Sequence, residues 1–237
     1  MRFDGRSNGE LRDIELETGY QPNPEGSVLV RWGETRVLCS VSVDYKVPSF
    51  MSGQGTGWIT AEYSMLPGSG NRRVRRERNG LKGRTMEIQR LIGRSLRQTV
   101  DLHRMGERTF VVDCDVLVAD GGTRMASVVG GAVALRLAIK RQLVEGKMKE
   151  DPFRGYVGGL GVGMVKGEIM LDLCYEEDSM ASVDMNIVAF ENGEIVEFQA
   201  TAEEGTVPME TLLEMGRVST EAIREVIFPL QREASGE

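Results

Sequence analysis

The chain has 237 residues, 41% hydrophobic and 27% charged, the ordinary mixture of a globular protein long enough to bury a core, which excludes a disordered or fibrous one. No apolar run reaches the roughly 20 residues of a membrane span, and Met1-Arg2-Phe3-Asp4-Gly5-Arg6 lacks the apolar stretch of a signal peptide, so a cytoplasmic location with no membrane partner is expected. The net charge of −7 speaks against a nucleic-acid binder, yet residues 72–104 hold 11 Lys+Arg against 3 Asp+Glu and leave 18 and 33 for the rest: a basic region in an acidic body, either a polyanion site or a solvated loop.

Along the chain, Ser27–Val43 reads as two β-rich runs around a turn at Gly33-Glu34, a hairpin. A Pro/Gly/Ser loop follows Val47, and Trp58–Leu66 is a third strand. Pro67–Gly83 is a loop rich in glycine and arginine, with Arg72, Arg73, Arg75, Arg76 and Arg78, whose composition predicts mobility without a ligand. From Thr85 to about His103 the apolar residues Ile88, Leu91, Ile92 and Leu96 keep helical spacing, and Arg90, Arg94 and Arg97 form a stripe on the opposite face. His103 is read as a residue at that helix's C-terminal end. Thr109–Val118 is a strand, and a helix opens after Asp120-Gly121-Gly122 and runs to about Gly146. Small residues Ser127, Gly130, Gly131, Ala134 and Ala138 recur along it and suit close packing on a sheet. Four strand candidates at 155–165, 169–175, 182–190 and 194–202 follow, with turns at Lys166-Gly167 and Asn192-Gly193. A last helix covers about Met209–Phe228. The order predicts an α+β or α/β two-layer architecture, with mixed β-strands packed against helices. No linker stands out, so residues 1–237 are taken as one domain.

Three cysteines, Cys39, Cys114 and Cys174, lie far apart in apolar stretches and read as buried thiols. With His103 the only histidine and no CxxC pair, zinc sites of the Cys/His type are excluded. Two segments can carry chemistry. In the first, a strand runs through Asp120-Gly121-Gly122-Thr123-Arg124 into a helix. The first N–H groups of that helix lack internal partners, glycines let an anion approach them, and Thr123 and Arg124 add a hydroxyl and a planar donor fork. A simple tight turn capped by Asp120 fits the same residues. In the second, Asp178 lies in a loop before a strand in which Ser182, Asp184 and Asn186 share one face and Val183, Met185 and Ile187 the other. Two carboxylates there could hold Mg²⁺ or Mn²⁺, or one could protonate a leaving group; an acidic surface loop is the plain alternative. An anion site with an acidic pair suggests chemistry on a phosphate ester. If inorganic phosphate is the attacking group, it needs positioning and charge neutralisation but no base.

In addition, Arg2-Phe3-Asp4-Gly5-Arg6, Gly53–Tyr63, Gly83–Arg97, Asp113-Cys114-Asp115, Asp120–Arg124, Glu177-Asp178, Asp184-Met185-Asn186 and Gln199–Glu203 occur in an order that resembles the ribonuclease PH family over nearly the whole chain. The resemblance implies that family's β-α-β fold and a phosphorolytic 3′→5′ exoribonuclease, a nucleotidyltransferase that trims tRNA precursors and other RNA 3′ ends. It would release nucleoside 5′-diphosphates with inorganic phosphate as co-substrate, reversibly. It implies phosphate at Arg84, Gly122, Thr123 and Arg124, catalysis by Asp178, Asp184 and Arg124, a divalent cation such as Mg²⁺ on Asp178 and Asp184, and RNA contacts from Arg72, Arg73, Arg75, Arg76 and Arg78. It also implies a homo-oligomer, a hexameric ring built as a trimer of dimers. Met125 stands where the family commonly has Thr, and Phe3 where it commonly has Pro; neither changes a charge.

Overall fold

The computed structural model describes residues 2–237. Its first sheet has five strands in the order β1-β2-β3-β5-β4: β1 (Ile14–Thr18), β2 (Gly26–Trp32), β3 (Thr35–Asp44), β4 (Trp58–Met65) and β5 (Thr109–Val118). The expected hairpin is β2–β3, closed by Gly33-Glu34 with Gly33 at φ 56°. β1, a short strand in which Glu15 and Glu17 alternate with apolar residues, adds to the β2 edge. The pairings are antiparallel except β4 with β5, which run parallel. A parallel pair needs a crossover, and helix α1 (Gly83–Arg97) supplies it. Both strands therefore end at the same edge of the sheet, where ligands of such units are usually held.

The second sheet, β7-β6-β8-β9, is wholly antiparallel: β6 (Val157–Val165), β7 (Glu168–Leu171), β8 (Val183–Phe190) and β9 (Ile195–Ala202). Helix α2 (Thr123–Val144) packs against strands of both sheets. Most of its residues are buried all round, the signature of a helix inside a core. The small residues foreseen along it explain how it fits. A Cβ on Gly130 would sit 2.3 Å from Val30 Cγ2, and across the contact a Cβ on Gly26 would sit 2.1 Å from the Ala134 carbonyl oxygen. One core cluster draws on both sheets, from Val28 and Cys39 to Leu160 and Met185. All three cysteines are free and buried.

Several boundaries differ from the sequence reading, and β7 stops at Leu171 rather than running to 175. α1 stops at Arg97, and His103 lies exposed in a separate 3₁₀ turn, Leu102–Arg104, whose Asp101 cap accepts the His103 N–H. Val100, just beyond the helix, bridges instead to Phe153. A one-turn helix α3 (Tyr175–Asp178) replaces the loop expected before β8, so Asp178 is the last residue of a helix. The final helix α4 (Met209–Ala222) continues through a π-helical stretch, Ile223–Ile227, into α5 (Phe228–Ser235). Pro229 has no N–H for the helical ladder, and the widened turn just before it accommodates the missing bond. The arginine stripe of α1 is also broken up: Arg94 pairs with Glu197 at 2.8 Å, and Arg97 lies 4.5 Å over the Trp58 ring while donating to the Ile59 carbonyl.

Gly26→Ala would press a methyl against helix backbone that cannot yield. It should cost about 1–3 kcal/mol, the usual range for overpacking, read as a lower urea midpoint at unchanged slope.

Candidate active site

The parallel strands β4 and β5 both point into a cleft of about 1180 Å³ between the two sheets. β4 leads into the irregular arginine loop and then to Arg84, the second residue of α1; β5 leads into Gly121, Gly122, Thr123 and Arg124 at the start of α2. The second sheet supplies the opposite wall: Asp178 from α3, Asp184 and Asn186 from β8, Glu203 just past β9. The sequence candidates Arg72, Arg84, Gly122, Thr123, Arg124, Asp178 and Asp184 thus share one cavity.

In the turn before α2, Asp120 is not the helix cap. Gly121 and Gly122 adopt left-handed φ of 75° and 68°, a region L side chains avoid. A Cβ on Gly121 would also lie 2.4 Å from the Leu173 carbonyl oxygen. Asp120 does not cap α2: its Oδ1 accepts the Tyr175 N–H of α3 (3.2 Å), and its own N–H donates to Thr35 Oγ1 (2.9 Å). The helix cap is Gly122, with no side chain to offer. The first N–H groups of α2, with the positive end of its dipole, therefore meet the cleft without a cap. The Thr123 hydroxyl is fixed by Tyr63 Oη at 2.9 Å. Arg124 donates through Nη1 to Gln199 Oε1 (3.1 Å), and Gln199 in turn donates to Glu87 (3.0 Å), which leaves the rest of its fork for a ligand. Arg84 stands exposed at the cleft with no ion pair among the described residues.

The acidic wall has the opposite character. Burial raises Asp178 above the ordinary carboxylate range although one edge stays exposed, and Arg124 and Arg84 pull it back. Asp184 is raised by burial first and then by repulsion from Asp178, against the same two arginines. Asn186 Nδ2 reaches Asp184 Oδ2 at 3.4 Å. Two mutually repelling carboxylates are hard oxygen donors of the kind Mg²⁺ takes together with substrate phosphate oxygens. Among the described residues no set of three or more His, Cys, Asp or Glu is arranged to hold a metal alone.

The basic loop divides. Arg72 lines the cleft, while Arg75, Arg76 and Arg78 line a neighbouring hollow of about 600 Å³ over the outer face of the first sheet, facing Glu62, Asp113 and Asp115. Burial pushes Asp113 and Asp115 upward, Glu62 adding to Asp113 and Arg76 opposing at Asp115. Arg73 is exposed. Glu77 does structural work in the loop, accepting the Lys82 N–H and the Thr85 hydroxyl at the start of α1.

The family model described as "3′ exoribonuclease family, domain 1" matches residues 10–140, and that for domain 2 matches 155–222. The chain belongs to the 3′ exoribonuclease family. Its relatives include ribonuclease PH of Bacillus pumilus, 49% identical over 240 aligned positions that cover 100% of this chain and 99% of that protein. Ribonuclease PH of Exiguobacterium sibiricum is 48% identical over 234, covering 98% and 94%. Two solved structures share the fold. One is the Archaeoglobus fulgidus exosome with RNA bound to the active site (TM-score 0.78, 23% identity, covering 95% of this chain and 91% of that one); the other is rice (Oryza sativa) Rrp46 (TM-score 0.80, 17%, 100% of each). In this family member, sequence reasoning missed the groups that hold the site from behind. Tyr63, Gln199, Arg2, Arg12 and Asp172 come from distant segments, and no local spacing joins them.

Glu177, beside Asp178 in sequence, has a different role. Its carboxylate is buried and accepts Arg2 Nε and Nη2 at 2.8 and 2.7 Å and the Cys174 N–H at 3.1 Å. Burial raises its pKa, but these bonds and the Arg2 charge outweigh that and hold it below the ordinary value of 4.5. Arg2→Met would leave this carboxylate buried without its partner and should cost about 3–5 kcal/mol in unfolding free energy, more than the double variant Arg2→Met/Glu177→Leu. Because the folded pKa is depressed, the stabilisation relative to Glu177→Gln should be full above pH about 4.5 and fade as the pH falls through the folded value, checked by denaturant titration at several pH values.

Proposed function

We propose that this chain is a phosphate-dependent 3′→5′ exoribonuclease that trims tRNA precursors and other RNA 3′ ends by phosphorolysis. The observation that carries the reading is the uncapped N-terminus of α2 between two arginines from different segments, Arg84 and Arg124, in one cleft with a carboxylate pair. Inorganic phosphate sits on the first N–H groups of α2, beside the Thr123 hydroxyl, with Gly122 allowing close approach and Arg84 and Arg124 offsetting its charge. Already anionic, it attacks the last phosphodiester without a base. The new P–O bond forms as the bond to the preceding 3′ oxygen breaks, and a nucleoside 5′-diphosphate leaves. Arg124 neutralises charge that builds on the reacting phosphoryl oxygens. Asp178 and Asp184 would hold the Mg²⁺, which when bound supplies positive charge at that phosphoryl group. Where no cation is bound, their raised proton affinity instead suits one of them to hand a proton to the departing 3′ oxygen. Arg72 guides the RNA tail at the cleft, and Arg73, Arg75, Arg76 and Arg78 contact its backbone further out. The working form is a hexameric ring of identical chains, a trimer of dimers, and a light-scattering mass six times that of the chain is expected.

Incubated with RNA, the protein should release nucleoside diphosphates only when phosphate is present; monophosphates released without phosphate would mean hydrolysis. Arg124→Ala should lower phosphorolysis by about 10²–10³-fold, the range for one electrostatic contact to a transition state. Arg75→Ala/Arg76→Ala should instead weaken RNA binding and flatten its salt dependence, each lost phosphate contact removing about 0.7 from the log–log slope on single strands.

A further inference from the structure

Asp172, between β7 and α3, is loaded with donors. Its Oδ2 accepts the Arg12 backbone N–H (2.8 Å), Arg12 Nε (3.0 Å), Trp32 Nε1 (3.0 Å) and, at longer range, Arg6 Nη1 (3.4 Å). Its Oδ1 accepts Arg12 Nη2 at 2.6 Å. The side chain is 3% exposed, and the backbone is left-handed at φ 52°, a conformation that a non-glycine residue keeps only when its surroundings over-determine it. Here they do. The Asp172 carbonyl accepts Arg2 Nη2 (2.9 Å) and Arg6 Nη2 (3.2 Å), and its N–H donates to the Gly161 carbonyl (2.8 Å).

The other end of Arg12 reaches the anion site. Nη1 donates to the Asp120 carbonyl and lies 3.5 Å from Asp120 Oδ2, and Nη2 would be 3.2 Å from a Cβ placed on Gly122. The guanidinium is therefore the floor under the Gly121–Gly122 turn. Ten residues earlier, Arg2 grips Glu177 and with it the helix that ends in Asp178. One N-terminal segment thus holds both walls of the cleft through two buried ion pairs, which Arg2 and Arg6 link by donating to Asp172 as well.

We infer that Arg12 and Asp172 are positioning residues for phosphate binding: the pair fixes the two-glycine turn so that the first N–H groups of α2 and Arg124 converge on the attacking phosphate. The Arg2–Glu177 pair does the corresponding work for the carboxylate wall. Neither pair touches substrate. The inference rests on the phosphorolytic reading above and adds to it a division of labour, in which the first pair governs phosphate affinity and the second the chemical step.

The test is steady-state phosphorolysis by the full chain, with inorganic phosphate and RNA varied separately, for wild type, Asp172→Asn, Arg12→Lys, Arg2→Lys and Trp32→Phe. Asp172→Asn and Arg12→Lys should raise KM for phosphate by about tenfold or more, as a displaced contact does, while KM for RNA stays unchanged. Arg2→Lys should lower kcat with KM for phosphate unchanged. A merely structural pair would reduce the folded, active fraction and leave KM for phosphate alone, and that result overturns the inference. So does an identical pattern from Asp172→Asn and Arg2→Lys. Should Asp172→Asn not fold, Trp32→Phe, which removes a single donor to Asp172, decides: a smaller rise in the same KM supports the inference, and an unchanged KM overturns it. A wild type that degrades RNA without needing phosphate defeats the phosphorolytic reading itself; a phosphate-dependent wild type with unaltered variants defeats only the positioning role.

Discussion

A helix that enters a cleft with its first N–H groups uncapped is an incomplete structure, and the architecture of this protein turns on that feature. α2 runs through the shared core, so its axis is fixed by packing on two sheets and its dipole cannot reorient towards solvent. The residue that could have capped it, Asp120, is drawn away to the Tyr175 N–H. What remains at the helix end is glycine, a hydroxyl held by Tyr63 and a guanidinium held by Gln199. Backbone dipoles and arginine charge all favour an anion there, and they are in place before it arrives.

Across the cleft the physics is reversed. Asp178 and Asp184 are crowded, partly removed from water, and kept from rising further by the same arginines that invite the phosphate. Opposite charges on facing walls suit a reaction in which negative charge gathers on a phosphoryl group on one side and a leaving oxygen needs a proton or a cation on the other. α1 and the start of α2, both fed by strands of the first sheet, contribute the positive wall, the second sheet and α3 the acidic one. The N-terminal segment that reaches beneath both, through Arg2 and Arg12, makes them a single site.

Much of this was legible residue by residue. The Gly33-Glu34 hairpin, the strand–glycine–helix passage at Asp120–Arg124, the small-residue pattern of α2 and the alternation around Asp184 are local, and local spacing reports local geometry. Readings failed where an element's limits depend on something distant. α1 ends at Arg97, short of Val100, which bridges to Phe153, and the start of α3 is held where Glu177, gripped by Arg2, accepts the N–H of the cap residue Cys174 and Asp120, reached by Arg12, accepts that of Tyr175.

By itself the sequence determined which groups are available: paired glycines before a helix, arginines concentrated in one region, two carboxylates a strand-turn apart, and a family pattern that spans the chain. Only the tertiary structure decided their employment. It gave Glu177 to a buried ion pair and Asp178 to the cleft, sent Asp120 to α3 and left α2 open, and split the arginine loop between two hollows. The reason is physical: a charge's partner is set by distance and burial in the folded chain, and partners such as Arg2 and Glu177 or Arg12 and Asp172 are brought together only when both sheets close on the shared core.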